Sequence, residues 1–339
     1  MRKSGVTISD VARKAGVSVS TVSKYLNNIP YVSESTKKKI QAAIDELNFQ
    51  PNIIARSLAK QETGYLGLLV PEVNNPFYTD LMSAIESVAA RKGYYIILAN
   101  THGDSERELQ LARELGNRVD ALIFASVTND SKKLNGLIKE NYRFLMVSRH
   151  VKEVKASHVI VDGFVGGKMA VEHLIRLGHK KIGHIGGPQR IHQFQDRYLG
   201  YQTALKQYSI PERRDWVVFG DSSIQVGYQL AVQLMSLPER PTALFVGNDT
   251  LALGVLEACD NYNWKVPDDL AIVSFDNISF SRLALVPLTT IDSRIAELGQ
   301  IAVETIVQQL QEDTNVLDQQ KREIVLKPSL VIRKSCGSL

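Results

Sequence analysis

"GVSVSTVSKYLNN", residues 16–28, joins a turn glycine to a short helical run whose outward positions are small hydroxyls, a valine and one lysine. Gly16 ends one helix. Ser18 carries a hydroxyl placed to accept from the N–H of Ser20 or Thr21, and Val22 and Leu26 form the buried stripe of the next helix. Upstream, Thr7 and Asp10 have the spacing of a reciprocal N-terminal cap, with Val11, Ala12 and Ala15 following on one face. Downstream, Ser33 caps a third helix with Ile40, Ile44 and Leu47 inward and Lys37, Lys38 and Lys39 outward, a face suited to long-range attraction to phosphate. Helix, glycine turn and helix within about 20 residues is the helix-turn-helix pattern, whose second helix enters the DNA major groove.

That groove, about 12 Å wide, admits a helix closely only if the facing side chains are short. On helical spacing Val19, Ser20, Ser23 and Lys24 lie away from Val22 and Leu26. Val19 suits a thymine methyl, Ser20 a base or phosphate, and Lys24 the O6 and N7 of guanine, while Thr21 and Ser23 suit phosphate or capping. Thr7, Ser18 and Asn27 complete the expected DNA-contacting set on the head. The charge agrees with this reading: residues 1–60 carry ten Lys/Arg against four Asp/Glu, a balance of +6, and the remaining 279 residues balance at −2. A polyanion-binding head on a nearly neutral body follows. A helical hairpin indifferent to nucleic acid would leave both the charge and the polar outer face unexplained.

At 339 residues the chain is too long for one ordinary core. From Tyr65 onward, β-rich runs alternate with helical patterns: YLGLLV (65–70), YYIILA (94–99), DALIFA (120–125) and FLMVS (144–148) are separated by amphipathic stretches. The rhythm restarts after Asp162 with KIGHIG (181–186), WVVFG (216–220), TALFVG (242–247) and LAIVSF (270–275). Two units of parallel strands with crossover helices imply two α/β lobes. Between head and body, "QPNIIARSLAKQETG" (50–64) holds a helical run starting at Pro51 and Asn52, shorter than the ~12–15 residues an isolated helix needs in water. The first residues lack an apolar signal core and no run reaches the roughly 18 apolar residues of a membrane span, so a cytoplasmic protein with no membrane partner is expected. Cys259 and Cys336 have no framework or metal spacing; no metal and no cofactor are expected.

The stretches TISDVARKAGVSVSTVSKYLNN and VSESTKKKIQAAIDELNFQPNIIARSLA resemble the head of the LacI/GalR family of bacterial transcription regulators, and the likeness extends over nearly the whole chain. The resemblance implies an all-α helix-turn-helix head (1–50) and a hinge helix (51–63). It further implies a periplasmic-binding-protein-like α/β core of two parallel-sheet lobes, 64–161 with 290–321 and 162–289 with 322–339. It implies that the hinge helix forms against its twin in a second subunit and lies in the minor groove, with Leu58 as the wedge that unstacks a base step and Asn52, Ala55 and Arg56 as groove and phosphate contacts. A homodimer on a pseudo-palindromic double-stranded operator follows, since the tail "RKSCGSL" carries no heptad repeat for tetramerisation.

Ligands of open α/β sheets sit at the carboxyl ends of the strands. The residues there are Asn74, Asn75, Phe77 and Tyr78, then Arg149, Asp162, Arg197, Asn248, Asp249 and Asp276. Amides, carboxylates and arginines suit sugar hydroxyls, and Phe77 or Phe275 suits the apolar face of a ring. The resemblance places effector contacts at Arg197, Asn248 and Asp276, with Asn75, Phe77, Arg149 and Asp162 beside them. Asp249 and Asp162 have an alternative as helix caps. A sugar, sugar acid or sugar phosphate is the expected effector; a phosphoprotein corepressor and a plain carbohydrate receptor are the alternatives. "IGHIGGPQ" (182–189) lacks dinucleotide spacing and no acid, base and nucleophile assemble in one motif, so an enzyme is not expected.

Overall fold

The computed structural model describes residues 6–26, 30–49, 62–125, 128–312, 316 and 320–338. The chain divides into two compact units, Met1–Thr63 and Gly64–Leu339. In the first, α1 (Ile8–Ala15) opens on a capping box: the Asp10 N–H donates to Thr7 Oγ1 and the Thr7 N–H donates to Asp10 Oδ2 at 3.0 Å. Gly16 ends it with φ +66°, a left-handed turn that a side chain would strain. α2 (Val19–Leu26) begins where the Thr21 N–H donates to Ser18 Oγ at 3.2 Å, and α3 (Glu34–Leu47) where the Thr36 N–H donates to Ser33 Oγ at 3.3 Å. Val11, Ala12, Ala15, Val22, Val32, Ile40, Ala43 and Phe49 close a small core, with Ile44 and Leu47 packed against it. Asn27 and the hinge residues Asn52, Ala55, Arg56 and Leu58 lie outside the described residues.

The second unit contains two six-stranded sheets. Near-continuous apolar runs, buried on both faces, make the central strands, as expected of parallel sheets covered by helices. The first sheet holds β1 (Tyr65–Val70), β2 (Tyr95–Asn100), β3 (Ala121–Phe124), β4 (Phe144–Val147), β5 (Ser157–Val161) and β11 (Glu323–Leu326), in the order β11-β5-β4-β3-β1-β2. The second holds β6 (Ile182–Gly186), β7 (Val217–Phe219), β8 (Ala243–Val246), β9 (Ala271–Asp276), β10 (Thr289–Asp292) and β12 (Ser329–Val331), in the order β12-β10-β9-β8-β6-β7. All described pairings are parallel except β12 on β10. The crossover helices are α4 (Pro76–Arg91), α5 (Ser105–Gly116), α6 (Ser131–Lys139), α7 (Gly163–Arg176), α8 (His192–Gln207), α9 (Ile224–Met235) and α10 (Asp249–Asn261). A final helix, α11 (Ile295–Gln311), packs on α4 and the first sheet.

The lobe boundaries differ from those drawn at 289/290 and 321/322. β10 still pairs in the second sheet, so the return to the first lobe follows Asp292, and β11 pairs with β5, so the last crossing lies between Leu326 and Ser329. β10 and β11 are four residues each, too short for their runs to declare a partner; only pairing decides their sheet.

Close helix crossings bring the second lobe's functional side chains into register. A Cβ on Gly167 of α7 would stand 2.3 Å from the Arg197 carbonyl oxygen, and one on Gly200 of α8 would stand 2.4 Å from that of Phe164. The two helices therefore meet backbone to backbone, which carries Arg197 onto the sheet's carboxyl edge.

Candidate functional site

On α2, Val22 is buried while Val19 is 43% exposed and Ser20 and Lys24 face solvent. Tyr25 reaches back from the same helix, donating to Gln41 Oε1 at 2.6 Å and fixing α2 against α3. Among the described basic residues of the head, Lys14 pairs with Glu46, Arg13 with Asp10 and Lys37 with Glu34, whereas Lys24, Lys38 and Lys39 form no ion pair. The hydroxyls are more occupied than their spacing suggested. Ser20 Oγ and Thr21 Oγ1 each lie 2.8 Å from Ser18 Oγ, and Thr7 Oγ1 donates to Asp10 Oδ2 at 2.7 Å. Thr7 and Ser18 thus hold helix ends, leaving Val19, Ser20 and Lys24 as the outermost face.

In the body, the carboxyl ends of both sheets border a cavity of about 300 Å³. Six of the eight expected effector contacts line it: Asn75, Phe77 and Arg149 from the first lobe, and Arg197, Asn248 and Asp276 from the second, with Tyr78 beside them. Asn75 and Asn248 are the N-caps of α4 and α10, accepting from the N–H of Phe77 (3.1 Å) and Leu251 (2.9 Å) through Oδ1, which leaves each amide nitrogen to offer. Phe77 is buried, edge-on to Tyr78 at 5.3 Å between ring centroids.

Two expected residues are not in the lining. Asp162 caps α7, accepting from the Val165 N–H at 2.9 Å. Phe275 is fully buried: strand alternation turns it to the opposite face from a cleft residue, against Gly166, where its ring lies 3.7 Å from the Arg197 guanidinium carbon. It supports the arginine from behind and is closed to a ligand. Asp249 does not cap α10 either. Its fully buried carboxylate accepts from Ser274 Oγ, Ser281 Oγ, Thr290 Oγ1 and the Ile278 N–H.

Lining residues that escaped the sequence reading include His102, Gln193, Phe194 and Asp221. They follow β2, β6 and β7, so the carboxyl-end rule, applied to every strand, would have included them.

The charged centre is Arg197. Its Nη1 donates to the Gly247 carbonyl at 2.6 Å and its Nη2 to Asp276 Oδ1 at 2.9 Å, while its Nε is buried without a partner. Ser293 Oγ also donates to Asp276 Oδ1, at 3.0 Å. Asp276 sits at φ +115°, a left-handed backbone that non-glycine residues rarely adopt and that recurs at binding sites. Burial pushes its carboxyl up to about 6, against the opposing pull of Arg197. A folded-state value above the unfolded one means that the ionised carboxylate is disfavoured at this buried position. Its stabilising share is present in acid and is lost as pH rises through about 6. A ligand hydroxyl donating to that carboxylate would reverse the penalty. Affinity for such a ligand is therefore expected to fall about tenfold between pH 7 and pH 5, and to be flat over that range in Asp276→Asn, as read by calorimetric titration. An equal fall in the variant would place the titrating group elsewhere.

Residues 7–52 match the family described as bacterial regulatory proteins, lacI family, and residues 171–336 match the periplasmic binding protein-like domain. The chain is 34% identical over 335 residues to the ribose operon repressor of Haemophilus influenzae, covering 98% of this chain and 99% of that one. It is 35% identical over 337 residues to the HTH-type transcriptional repressor PurR of Pectobacterium atrosepticum, covering 97% and 96%. Among solved structures, it is similar to the lac repressor dimer bound to operator and the anti-inducer ONPF, with a TM-score of 0.86 at 28% identity and coverage of 98% and 99%. A LacI family transcriptional regulator from Enterococcus faecium with bound ribose aligns with a TM-score of 0.71 at 30% identity, over 81% of this chain and 99% of that one.

Proposed function

Since the chain belongs to the lacI family of bacterial regulatory proteins, DNA-binding repressors with a small-molecule effector, we propose that it grips a pseudo-palindromic operator as a homodimer and that a sugar-like molecule in the body cleft sets the strength of that grip. Each protomer places α2 in the major groove of one half-site, with Val19 on a thymine methyl, Ser20 on a base edge or phosphate and Lys24 on guanine. Thr7, Ser18, Thr21 and Ser23 sit around them as phosphate neighbours. The hinge segment, with Asn52, Ala55, Arg56 and Leu58, pairs with its twin in the minor groove. The relatives named for ribose and the ribose-bound regulator support a polyol in the cleft. The cleft binds and releases its ligand unchanged.

The observation that carries this reading is the outer face of α2: small, exposed and tipped by a lysine with no ion pair, on a helix otherwise fixed by Val22 and Tyr25. Lys24→Ala is expected to cost about 1–3 kcal/mol at one base pair of each half-site and to relax specificity there, read by operator-variant binding titrations. A uniform loss across all sequences would make Lys24 a phosphate contact instead. No described helix is long and apolar enough to cross a membrane, in keeping with a protein that works on DNA.

A further inference from the structure

The paired glycines of "IGHIGGPQ" (182–189), a stretch without dinucleotide spacing, make room for two aromatic rings at one edge of the second sheet. A Cβ on Gly186 would stand 2.5 Å from the ring of Phe219, at the end of β7, and one on Gly187 would stand 2.4 Å from the ring of Phe194, in the first turn of α8. Glycine at both positions lets the rings lie directly on the backbone. With Tyr198 and Leu199 of α8 they wall a second cavity, of about 540 Å³. It shares Phe194 with the cleft and no other lining residue. The Arg197 guanidinium carbon lies 5.2 Å from the centroid of that ring, so Phe194 is a partition between the two spaces.

The second cavity is acidic. Its lining holds no Lys, Arg or His, and it includes the half-buried Asp196, whose carboxylate forms no hydrogen bond or ion pair among the described residues. Burial pushes that carboxyl above its ordinary value; Asp162 adds to the rise, and His150, His192 and Lys152 oppose it. A further carboxylate, Glu212, backs the wall: Tyr198 Oη donates to it, and Gln202 Nε2 donates to its Oε2 at 2.9 Å. Gln195 Nε2 is likewise spent, on the Gln189 carbonyl at 2.6 Å. A solvated carboxylate alone needs no ligand. One set in a concave wall of part-exposed aromatic rings offers an ammonium group its counter-charge and offers the attached carbons an apolar bed.

We propose that this cavity is a second small-molecule site, separate from the cleft, whose ligand is a small organic ammonium ion that sets its charge against Asp196 and its carbon body on Phe194, Tyr198 and Phe219. The site does not depend on what the cleft binds.

The test is a pair of matched comparisons, titrated calorimetrically against the full chain: choline against dimethylbutanol, its neutral isostere with carbon in place of nitrogen, and cadaverine against pentanediol. At least one ammonium ion is expected to bind about 10-fold or more tightly than its neutral partner, the two arms showing whether a quaternary or a primary ammonium is preferred. Asp196→Asn is expected to erase that preference and Asp196→Glu to keep part of it, with melting of the unliganded protein as the control for folding. Phe219→Leu is expected to weaken the ammonium ion more than the neutral isostere, because it removes the ring and keeps an apolar surface. The proposal is overturned if neither ammonium ion outbinds its neutral partner up to the millimolar range. It is equally overturned if Asp196→Asn keeps the preference, which would place the cation elsewhere, among the carboxylates of the cleft included.

Discussion

Arg197→Ala is expected to lower effector affinity by at least about 100-fold and to remove the effector response of operator binding. Two of the arginine's donors are already committed, to the Gly247 carbonyl and Asp276, so its orientation is set before a ligand arrives. Charge-assisted hydrogen bonds contribute about 1.5–3 kcal/mol each, and the variant loses both the guanidinium donors at the cleft and the orientation of Asp276. Stranding a buried charge commonly costs about 3–5 kcal/mol of stability. The loss is softened here, because burial has already raised Asp276 to about 6 and the stranded carboxyl takes up a proton. The variant should therefore fold, bind operator through its head and ignore the effector. Calorimetry and fluorescence anisotropy on labelled operator read the two halves separately; an effector response within threefold of the wild type's would move the pocket elsewhere.

Asp249→Ala is expected to destabilise the second lobe by about 3–5 kcal/mol. This carboxylate is 0% exposed and accepts from three hydroxyls and one backbone N–H drawn from β9, β10 and the segment between them. Burial pushes its carboxyl up, and the four donors pull it down. Removing it leaves the donors of Ser274, Ser281, Thr290 and Ile278 without their acceptor inside the core. The effect travels, because Ser279 beside them donates from N–H (2.7 Å) and Oγ (3.0 Å) to Asp80 on α4 of the first lobe. Loosening this knot frees a contact that joins the lobes next to the cleft. Asp249→Asn keeps one acceptor oxygen and should recover about half of the loss. Urea unfolding followed through the second lobe's Trp216 and Trp264 measures both variants, and a loss below about 1 kcal/mol for Asp249→Ala would show that the hydroxyls find other partners.

The amino-acid order by itself determined the local devices. The Thr7–Asp10 box, the Gly16 turn and the Ser18 and Ser33 caps depend on residues within four positions of one another, and all formed as their spacing required. The α/β rhythm was equally legible, because strands buried on both faces must be written as apolar runs. The cleft-lining positions of Asn75, Arg149, Asn248 and Asp276 followed from where strands end, whereas Arg197 reaches the cleft from within α8.

Tertiary structure decided what depends on one residue of register or on distant pairing. Phe275 and Asp276 are neighbours, yet alternation along β9 puts the ring beneath Arg197 and the end of the strand puts the carboxylate at the cleft. Asn248 and Asp249 are also neighbours, and the chain's entry into α10 makes the first a cap and the second a buried hub. The sheets of β10 and β11, and the pairing that ties Arg197 to Asp276, depend on segments far apart in sequence. No local rule reaches them, because hydrogen-bond partners and burial are properties of the packed chain and not of the residues that enter it.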